Sequence, residues 1–430
     1  MGEISFIHLS DIHFRKTSGN STDIDNDLRN AVLMDIKYNA KEQLKDVKGI
    51  LIVGDIAFAG QKEEYVNAKE FLKSLVACLE IDEKNIYCVP GNHDVDQQIA
   101  KKCISVYEAQ CAIEKASSID DADWLLDKYM QDEASPNILY KTLEEYNKFS
   151  APYGCNINSS KTQWNASFDL DYDMKLKIQG MNSCVISNQD DHKERDKIRK
   201  MVVGQSQIPL YEDDTVWVSL CHHPVEFWKF SEDIQDRLDK RIDIQLYGHK
   251  HEQSVSINSE RLVISAGATH PTRGNDWVPR YNWISFECIR QESDRYINVK
   301  VFPRVLSFDR DRFIPDKENC DVDKKYFEYT LNIDRKRKKN LSDSEPYVDK
   351  KEKKNMNDKP IEEGIEKDII YYFFDLSYVQ QLEILSTLKL LKEEYEGKRY
   401  IEVIGQILSD AEKKGCLERF FDMIKSGSAK

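Results

Sequence analysis

Five short segments combine carboxylates, imidazoles and an amide in spacings suited to holding cations. They are Asp11-Ile12-His13, Gly54-Asp55, Gly91-Asn92-His93-Asp94, His222-His223-Pro224 and Gly248-His249-Lys250-His251. At the end of an extended segment, residues two apart point to the same side. Asp11 and His13 can therefore reach one ion, and His249 and His251 stand in the same relation. Asp55 follows a glycine at a strand end, where a carboxylate can bridge two ions. Asn92 offers a neutral carbonyl oxygen and His222 one more nitrogen. Mixed oxygen and imidazole donors suit Mn²⁺, Fe or Zn²⁺, and the lack of thiolates argues against a structural zinc. Two such ions, about 3.5–4 Å apart, can hold a hydroxide between them and clamp phosphoryl oxygens. An isolated D-x-H or Gly-Asp arises often by chance. The ordered series of five, with Gly-Asn-His-Asp at its centre, is far more specific.

These residues need a frame. Apolar runs at residues 4–9, 50–53, 86–89, 216–220 and 242–247 each lead directly into one of the five segments, which reads as a buried strand followed by a loop. Helical faces lie between the first three: Leu28, Val32 and Ile36, then Tyr65, Ala68, Leu72, Leu75 and Leu79. Strands alternating with helices predict crossover units and a largely parallel sheet, with ligands beyond the carboxyl ends of its strands. Residues from about 96 to 165 carry helical periodicity and read as an insertion. Runs at 262–266, 283–288, 297–302 and 326–333 suit a second sheet packed on the first.

The ordered series, over residues 4 to 305, resembles the calcineurin-like metallophosphoesterase superfamily. The stretches Ile7-His8-Leu9-Ser10-Asp11-Ile12-His13 and Val89-Pro90-Gly91-Asn92-His93-Asp94 are most similar to bacterial cyclic-nucleotide phosphodiesterase-like members. The resemblance implies an α/β fold, a four-layer α-β-β-α sandwich of two mixed sheets. It implies that Asp11, His13 and His251 hold a first metal, that Asn92, His222 and His249 hold a second, and that Asp55 bridges them. Two divalent ions are expected, Mn²⁺ foremost, with Fe or Zn²⁺ as alternatives. His93 would contact the phosphate and protonate the leaving oxygen, with Asp94 orienting it. The family spacing H-x-Pro selects His222 as the ligand and leaves His223 to face substrate. Arg15 and His270 are further substrate-binding candidates, Arg15 for its place after His13 and His270 for its place near the expected site mouth. His8 reads as a core residue, and His192 lies in a charged loop.

The expected reaction is hydrolysis of nucleotide or nucleic-acid phosphodiesters by a metal-bridging hydroxide. A nuclease acting on DNA ends and a protein phosphatase are the alternatives. The formal net charge of −14 over 430 residues disfavours long duplex nucleic acid, because counterion release needs a basic face. No apolar run spans a bilayer, and Met1-Gly2-Glu3 lacks a basic leader region. The ten cysteines show no paired spacing, so reduced thiols and a cytoplasmic location are expected.

Composition shifts after Asp334. Residues 1–334 read as the catalytic domain and 335–366, opening with Arg335-Lys336-Arg337-Lys338-Lys339, as a charged linker. Residues 367–430 read as a small all-α domain. Ser377 with Gln380 predicts a helix start ahead of Leu382, Leu385 and Leu388, and further helices run from about Tyr400 to Lys414 and from Leu417 to Ile424. The pattern from Phe373 to Phe421 resembles death-like, effector-associated adaptor domains. That resemblance implies a protein partner and a role as effector in a bacterial defence or signalling system, or an adaptor in which this module recruits the partner.

Overall fold

The run Ile4–Leu9 is buried at every position, so it can satisfy its backbone only by pairing along both edges. The rest of the first sheet grows from that requirement. In the computed structural model the described residues are 2–16, 26–191, 200–258, 261–270, 278–309, 312–334, 373, 378–390, 392, 400–417, 419–420 and 423–424. The strands are β1 (Ile4–Leu9), β2 (Val47–Val53), β3 (Ile86–Val89), β4 (Trp164–Asp169), β5 (Lys175–Gly180), β6 (Thr215–Cys221), β7 (Ile244–Tyr247), β8 (Gln253–Asn258), β9 (Arg261–Ala266), β10 (Arg280–Gln291), β11 (Asp294–Leu306), β12 (Phe313–Pro315) and β13 (Phe327–Asn332).

The first sheet runs β12-β11-β10-β1-β2-β3, with β13 also pairing β11, and the second runs β4-β5-β6-β7-β9-β8. Within the first, β1, β2 and β3 are parallel, and β10 joins β1 antiparallel with Ile7 opposite Trp283. Within the second, β5, β6, β7 and β9 are parallel, while β4 and β8 are antiparallel edges. Both sheets are mixed, and helices flank them. The strands after residue 280 were expected to build a second sheet. They instead complete the first, because β1 has a parallel partner on only one edge. The second sheet gains β4, β5 and β8, none of which the sequence signals strongly. β4 alternates Trp, Ala and Phe with exposed Asn, Ser and Asp but is short and only partly buried, and β8 is rich in Gln, Ser and Asn.

The sheets meet through apolar and aromatic side chains. Phe168 of β4 sits edge-on to Phe6 of β1 at 5.1 Å and to Tyr87 of β3 at 5.7 Å. The indole of Trp164 reaches across to donate to the Cys88 carbonyl at 2.9 Å. Helix Lys62–Leu79 buries Tyr65, Ala68, Leu72, Leu75 and Leu79, and its start is closed by a capping box of Gln61 and Glu64, in which two orphan amides are satisfied reciprocally. Between β3 and β4 the chain is helical, with helices at 97–102, 104–114, 119–130 and 144–150.

The chain divides into two compact units, Met1–Glu345 and Pro346–Lys430. In the second, helices Tyr378–Thr387 and Tyr400–Lys413 contribute to an apolar core that includes Phe373, Leu385, Ile407 and Phe420. The expected linker at 335–366 and the expected helix-start residue Ser377 lie outside the described residues. Among the described residues no helix is long and apolar enough to cross a membrane.

One buried ion pair ties a helix to the antiparallel half of the first sheet. Asp35 ends helix Asn26–Asp35 and accepts from Arg304 Nη2 at 2.5 Å and Nε at 2.9 Å, and from the Tyr281 hydroxyl at 2.5 Å. The Arg304 guanidinium lies 4.4 Å from the Trp283 ring centroid. Removing one member leaves the other charge buried and unpaired. Asp35→Ala is therefore expected to lose about 3–5 kcal/mol of stability, read from the midpoint of urea unfolding.

Candidate metal centre

The loops beyond β1, β2 and β7 share an unusual backbone. Asp11, His13, Asp55, His249 and His251 all have positive φ, at 51°, 53°, 52°, 68° and 59°. For residues carrying a Cβ this costs of order 1–3 kcal/mol each, and it persists only where surrounding structure over-determines it. Here backbone bonds zip the loops together. Asp11 N–H donates to the Gly54 carbonyl at 3.1 Å, and Ile12 and His13 N–H both donate to the Asp55 carbonyl at 2.9 and 3.0 Å. His270 N–H donates to the Asp11 carbonyl at 3.1 Å. Glycine permits the closest approaches. Gly54, at φ +81°, leaves room for the His222 ring, whose Nδ1 would stand 2.5 Å from an added Cβ. A Cβ at Gly91 would collide with the Asp55 carboxylate and backbone nitrogen.

Two donor clusters result. In the first, ligand-capable atoms of Asp11, His13, Asp55 and His251 all lie within 4.8 Å of one another. His251 Nε2 is 3.0 Å from Asp11 Oδ1, and His13 Nε2 is 3.3 Å from Asp55 Oδ2. In the second, His222, His223 and His249 are similarly grouped. Asn92 Oδ1 lies 3.1 Å from His222 Nε2 and 3.0 Å from His249 Nδ1. Asp55 joins the clusters, since its Oδ2 is also 3.4 Å from His222 Nε2. Its other oxygen accepts from the His93 N–H at 2.8 Å.

Backbone carbonyls orient the imidazoles. His222 Nδ1 donates to the Val53 carbonyl at 2.9 Å, and His13 Nδ1 to the His270 carbonyl at 3.3 Å. A carbonyl only accepts, so each Nδ1 carries a hydrogen and each Nε2 turns toward Asp55, the orientation that metal-ligating histidines adopt once Nε2 is deprotonated. Ser10 Oγ holds the far side of Asp11, donating to its Oδ2 at 2.5 Å.

The electrostatics follow from crowding charge into a buried space. Burial alone would raise the Asp55 carboxyl, but His222, His93 and His13 outweigh it and hold it well below the carboxylate range. Burial would also raise Asp11, and His251 and His222 bring it down. Burial would lower His222, yet Asp55 and Asp11 carry it up to about 9. His13 is raised in the same way, by Asp55 above all, against its burial. His249 is pushed down to about 3 by burial and by neighbouring His222, so it stays neutral. Imidazoles, an amide oxygen and ionised carboxylates form a donor set that fits divalent cations, with His222 and His13 giving up their protons as an ion takes their place.

The remaining candidates have varied positions. His93 Nδ1 donates to the Phe58 carbonyl at 2.8 Å, and its ring centroid is 4.8 Å from that of His13. Asp94 does not orient His93. Its carboxylate accepts from Ile56, Ala57 and Gly91 N–H at 3.1, 2.8 and 2.9 Å, and from the Tyr65 hydroxyl at 2.9 Å. Neighbours on the tight turn Asn92–Asp94 point apart, and the amides of the Asp55 loop need a buried acceptor. Burial, then Asp55, lifts this carboxyl to about 6 against those bonds. Arg15 is exposed and stacks on Phe58, its guanidinium 4.0 Å from the ring centroid. His223, expected to face substrate, is buried, bonds Ser183 Oγ through Nδ1 at 2.8 Å and packs on His249 with centroids 4.4 Å apart. His270 contributes backbone atoms to the loops. His8 is buried between strands, with Nδ1 3.4 Å from Asn282 Nδ2, and burial lowers it to about 3. His192 lies outside the described residues. Ser10, Phe58, Ser183 and the Val53 carbonyl were not singled out from the sequence. Only Ser10, beside Asp11, carried a local signal.

Known proteins bear on these positions. A sequence profile of the calcineurin-like phosphoesterase family matches residues 4–253, and one of the GTPase-associated adaptor domain matches residues 365–426. An uncharacterized metallophosphoesterase-like protein of Bacillus subtilis, YydB, is 23% identical over 271 residues, covering 60% of this chain and 50% of that protein. The chain thus spans half the length of the curated relative it matches. Similar solved structures include a putative 5′-nucleotidase from Staphylococcus aureus, at 15% identity and a TM-score of 0.34 over 67% of this chain and 51% of that one. They also include GAP50, the anchor in the inner membrane complex of Plasmodium, at 12% identity and a TM-score of 0.36 over 77% and 89%.

The close approach at Gly91 makes a direct expectation. Gly91→Ala is expected to force the Asp55 carboxylate from its place and to destabilise the protein by about 1–3 kcal/mol, the usual range for overpacking. Thermal unfolding of the two proteins side by side measures it.

Proposed function

Because the chain belongs to the calcineurin-like phosphoesterase family, we propose that it is a phosphodiesterase acting on nucleotide or nucleic-acid phosphodiesters with two divalent ions. One observation carries the reading: Asp55 Oδ2 stands 3.3 Å from His13 and 3.4 Å from His222, at the junction of two donor clusters. Asp11, His13 and His251 would hold one ion, Asn92, His222 and His249 the other, and Asp55 both. Mn²⁺ is the ion of choice for this mixture of hard oxygens and imidazoles, with Fe or Zn²⁺ also suited. When bound, the pair supplies water activation and neutralises charge on the phosphoryl oxygens.

The chain's own groups do the rest. His93 is fixed by the Phe58 carbonyl through Nδ1, which leaves Nε2 to deliver a proton to the departing oxygen. Asp94 acts one step back: by tying the Gly91 and Asp55 loops together it positions Asn92, His93 and Asp55 at once. Arg15, laid flat on Phe58, is placed to pair with a substrate phosphate oxygen. His223 supports His249 by packing and lies among the second cluster's nitrogens, so we assign it to that cluster's surroundings and not to substrate.

A second role rests on the match of residues 365–426 to the GTPase-associated adaptor domain. Under this reading the C-terminal unit recruits a protein partner, with a GTPase the class its description suggests, and phosphodiester cleavage is the output, as in a bacterial defence effector. Deleting residues beyond Asp334 should keep turnover while abolishing partner capture and effect in cells. Retention of both in the truncated protein would count against the adaptor role.

Metal-loaded full-length protein is expected to hydrolyse bis-p-nitrophenyl phosphate and to favour diesters over phosphopeptides. An absence of turnover on that compound and on a cyclic-nucleotide and oligonucleotide panel would sink the proposal. His93→Ala should lower kcat by about 10²–10⁴ on substrates with alkoxide leaving groups, and far less where p-nitrophenolate departs unaided. Ion binding requires neutral imidazole. In the ion-free protein His222 stays protonated until about pH 9, so Mn²⁺ uptake near neutral pH should release protons. Affinity should climb as pH rises and level off above that value, as titration calorimetry in buffers of different ionisation enthalpy would show.

A further inference from the structure

We infer that the outer face of the second sheet carries a separate binding site for a nucleotide-sized organic phosphate. A cavity of about 570 Å³ opens there, within the range of roughly 300–1,000 Å³ typical of small-molecule sites. Its floor is Trp217 of β6 and Gln179 of β5, both buried. Its mouth is set by Arg237 and Arg241, one turn apart on helix Ser231–Arg241 and therefore on one face. The wall between is Pro209 and Leu210, the latter 80% exposed.

Charge defines the ligand. Arg237 and Arg241 have no carboxylate partner among the described residues, although the chain as a whole carries a net charge of −14. Two cations at this spacing repel one another, and they remain side by side at the mouth of a cavity. The one carboxylate in the lining, Glu212, is already neutralised by Lys177. A planar guanidinium pair matches phosphate oxygens in geometry and charge. Phosphate alone would leave most of the volume and the exposed Leu210 wall unfilled. A heterocycle attached to it would cover that wall, and the amides of Gln163 and Asn165 at the rim can meet its polar edge. The Trp217 indole N–H is a buried donor with no acceptor, a rare condition that a modest shift of the ring toward a ligand oxygen would relieve.

This cavity is distinct from the metal centre. Trp217 precedes His222 by five residues along β6, which at about 3.3 Å per residue is roughly 16 Å. The two sites share a strand and no lining residue, so binding here does not require the catalytic reading to be right.

The test is nuclear magnetic resonance of the full-length protein with ¹⁵N-labelled tryptophan, the Trp217 indole signal being assigned through Trp217→Phe. AMP is expected to shift that signal saturably, while adenosine and inorganic phosphate each act at least tenfold more weakly. Arg237→Gln combined with Arg241→Gln should weaken the AMP response at least tenfold, leave the other indole signals in place and leave turnover of bis-p-nitrophenyl phosphate unchanged. No response of Trp217 to millimolar AMP overturns the inference. So does a response to phosphate equal to that of AMP, or an AMP response unchanged in the double variant.

Discussion

The Asp55 carboxylate is the point on which this structure turns. It is buried, ionised and within 3.4 Å of imidazoles from two different sheets. A carboxylate so placed is tolerable only with opposite charge or firm donors around it. The His93 N–H, the facing histidines and the glycines that let these groups close in are the means by which the protein meets that demand. Five residues with positive φ follow from the same demand. Each turns a side chain back toward a common centre that regular strand geometry would miss.

The two-sheet frame makes such convergence possible. Asp11 and Asp55 follow parallel neighbours of the first sheet, and Asn92 follows a third. His222 and the His249 loop follow parallel neighbours of the second. With the sheets face to face, strand ends from both deliver their loops to one edge. Backbone groups then serve as fasteners. The Val53 carbonyl ends a strand and also orients His222, and the His270 carbonyl orients His13. Asp94 spends its whole carboxylate on amides of two loops and a tyrosine hydroxyl, so the loops are joined by a charged staple well inside the protein.

The same division of labour separates the two faces of the second sheet. Its inner face packs on the first sheet through Trp164 and Phe168, and Gly180 must be small to admit the Trp164 ring. Its outer face keeps polar and cationic side chains around a cavity. β6 serves both, with apolar positions turned inward, Trp217 turned outward and a histidine just past its end. Packing on the first sheet and the lining of the outer cavity thereby fall to alternate residues of one strand.

Much of this was written in local sequence. Buried strands ending at Leu9, Val53, Val89, Cys221 and Tyr247 show as short, largely apolar runs, and the residues just past them carry donor types that announce metal chemistry. Helix Lys62–Leu79 shows in its spacing, because periodicity is a local property. What stayed hidden depends on contacts distant along the chain. That β10 closes the open edge of β1 is a pairing over more than 270 residues, decided by an unsatisfied backbone edge. β8 forms because a neighbour offers hydrogen bonds, with little help from its own side chains, and β4 is fixed by Trp164 and Phe168 only once the first sheet stands opposite them. Asp94 was read as the partner of the histidine beside it, yet the loop amides of Ile56 and Ala57 claim it. His222 and His223 are alike in type; the H-x-Pro spacing singles out His222, and only the packing on Ser183 and His249 shows where His223 goes. Residue type and spacing determined which groups could bind and react. Tertiary structure decided which of them face one another, because direction and distance arise only once separate strands share an edge.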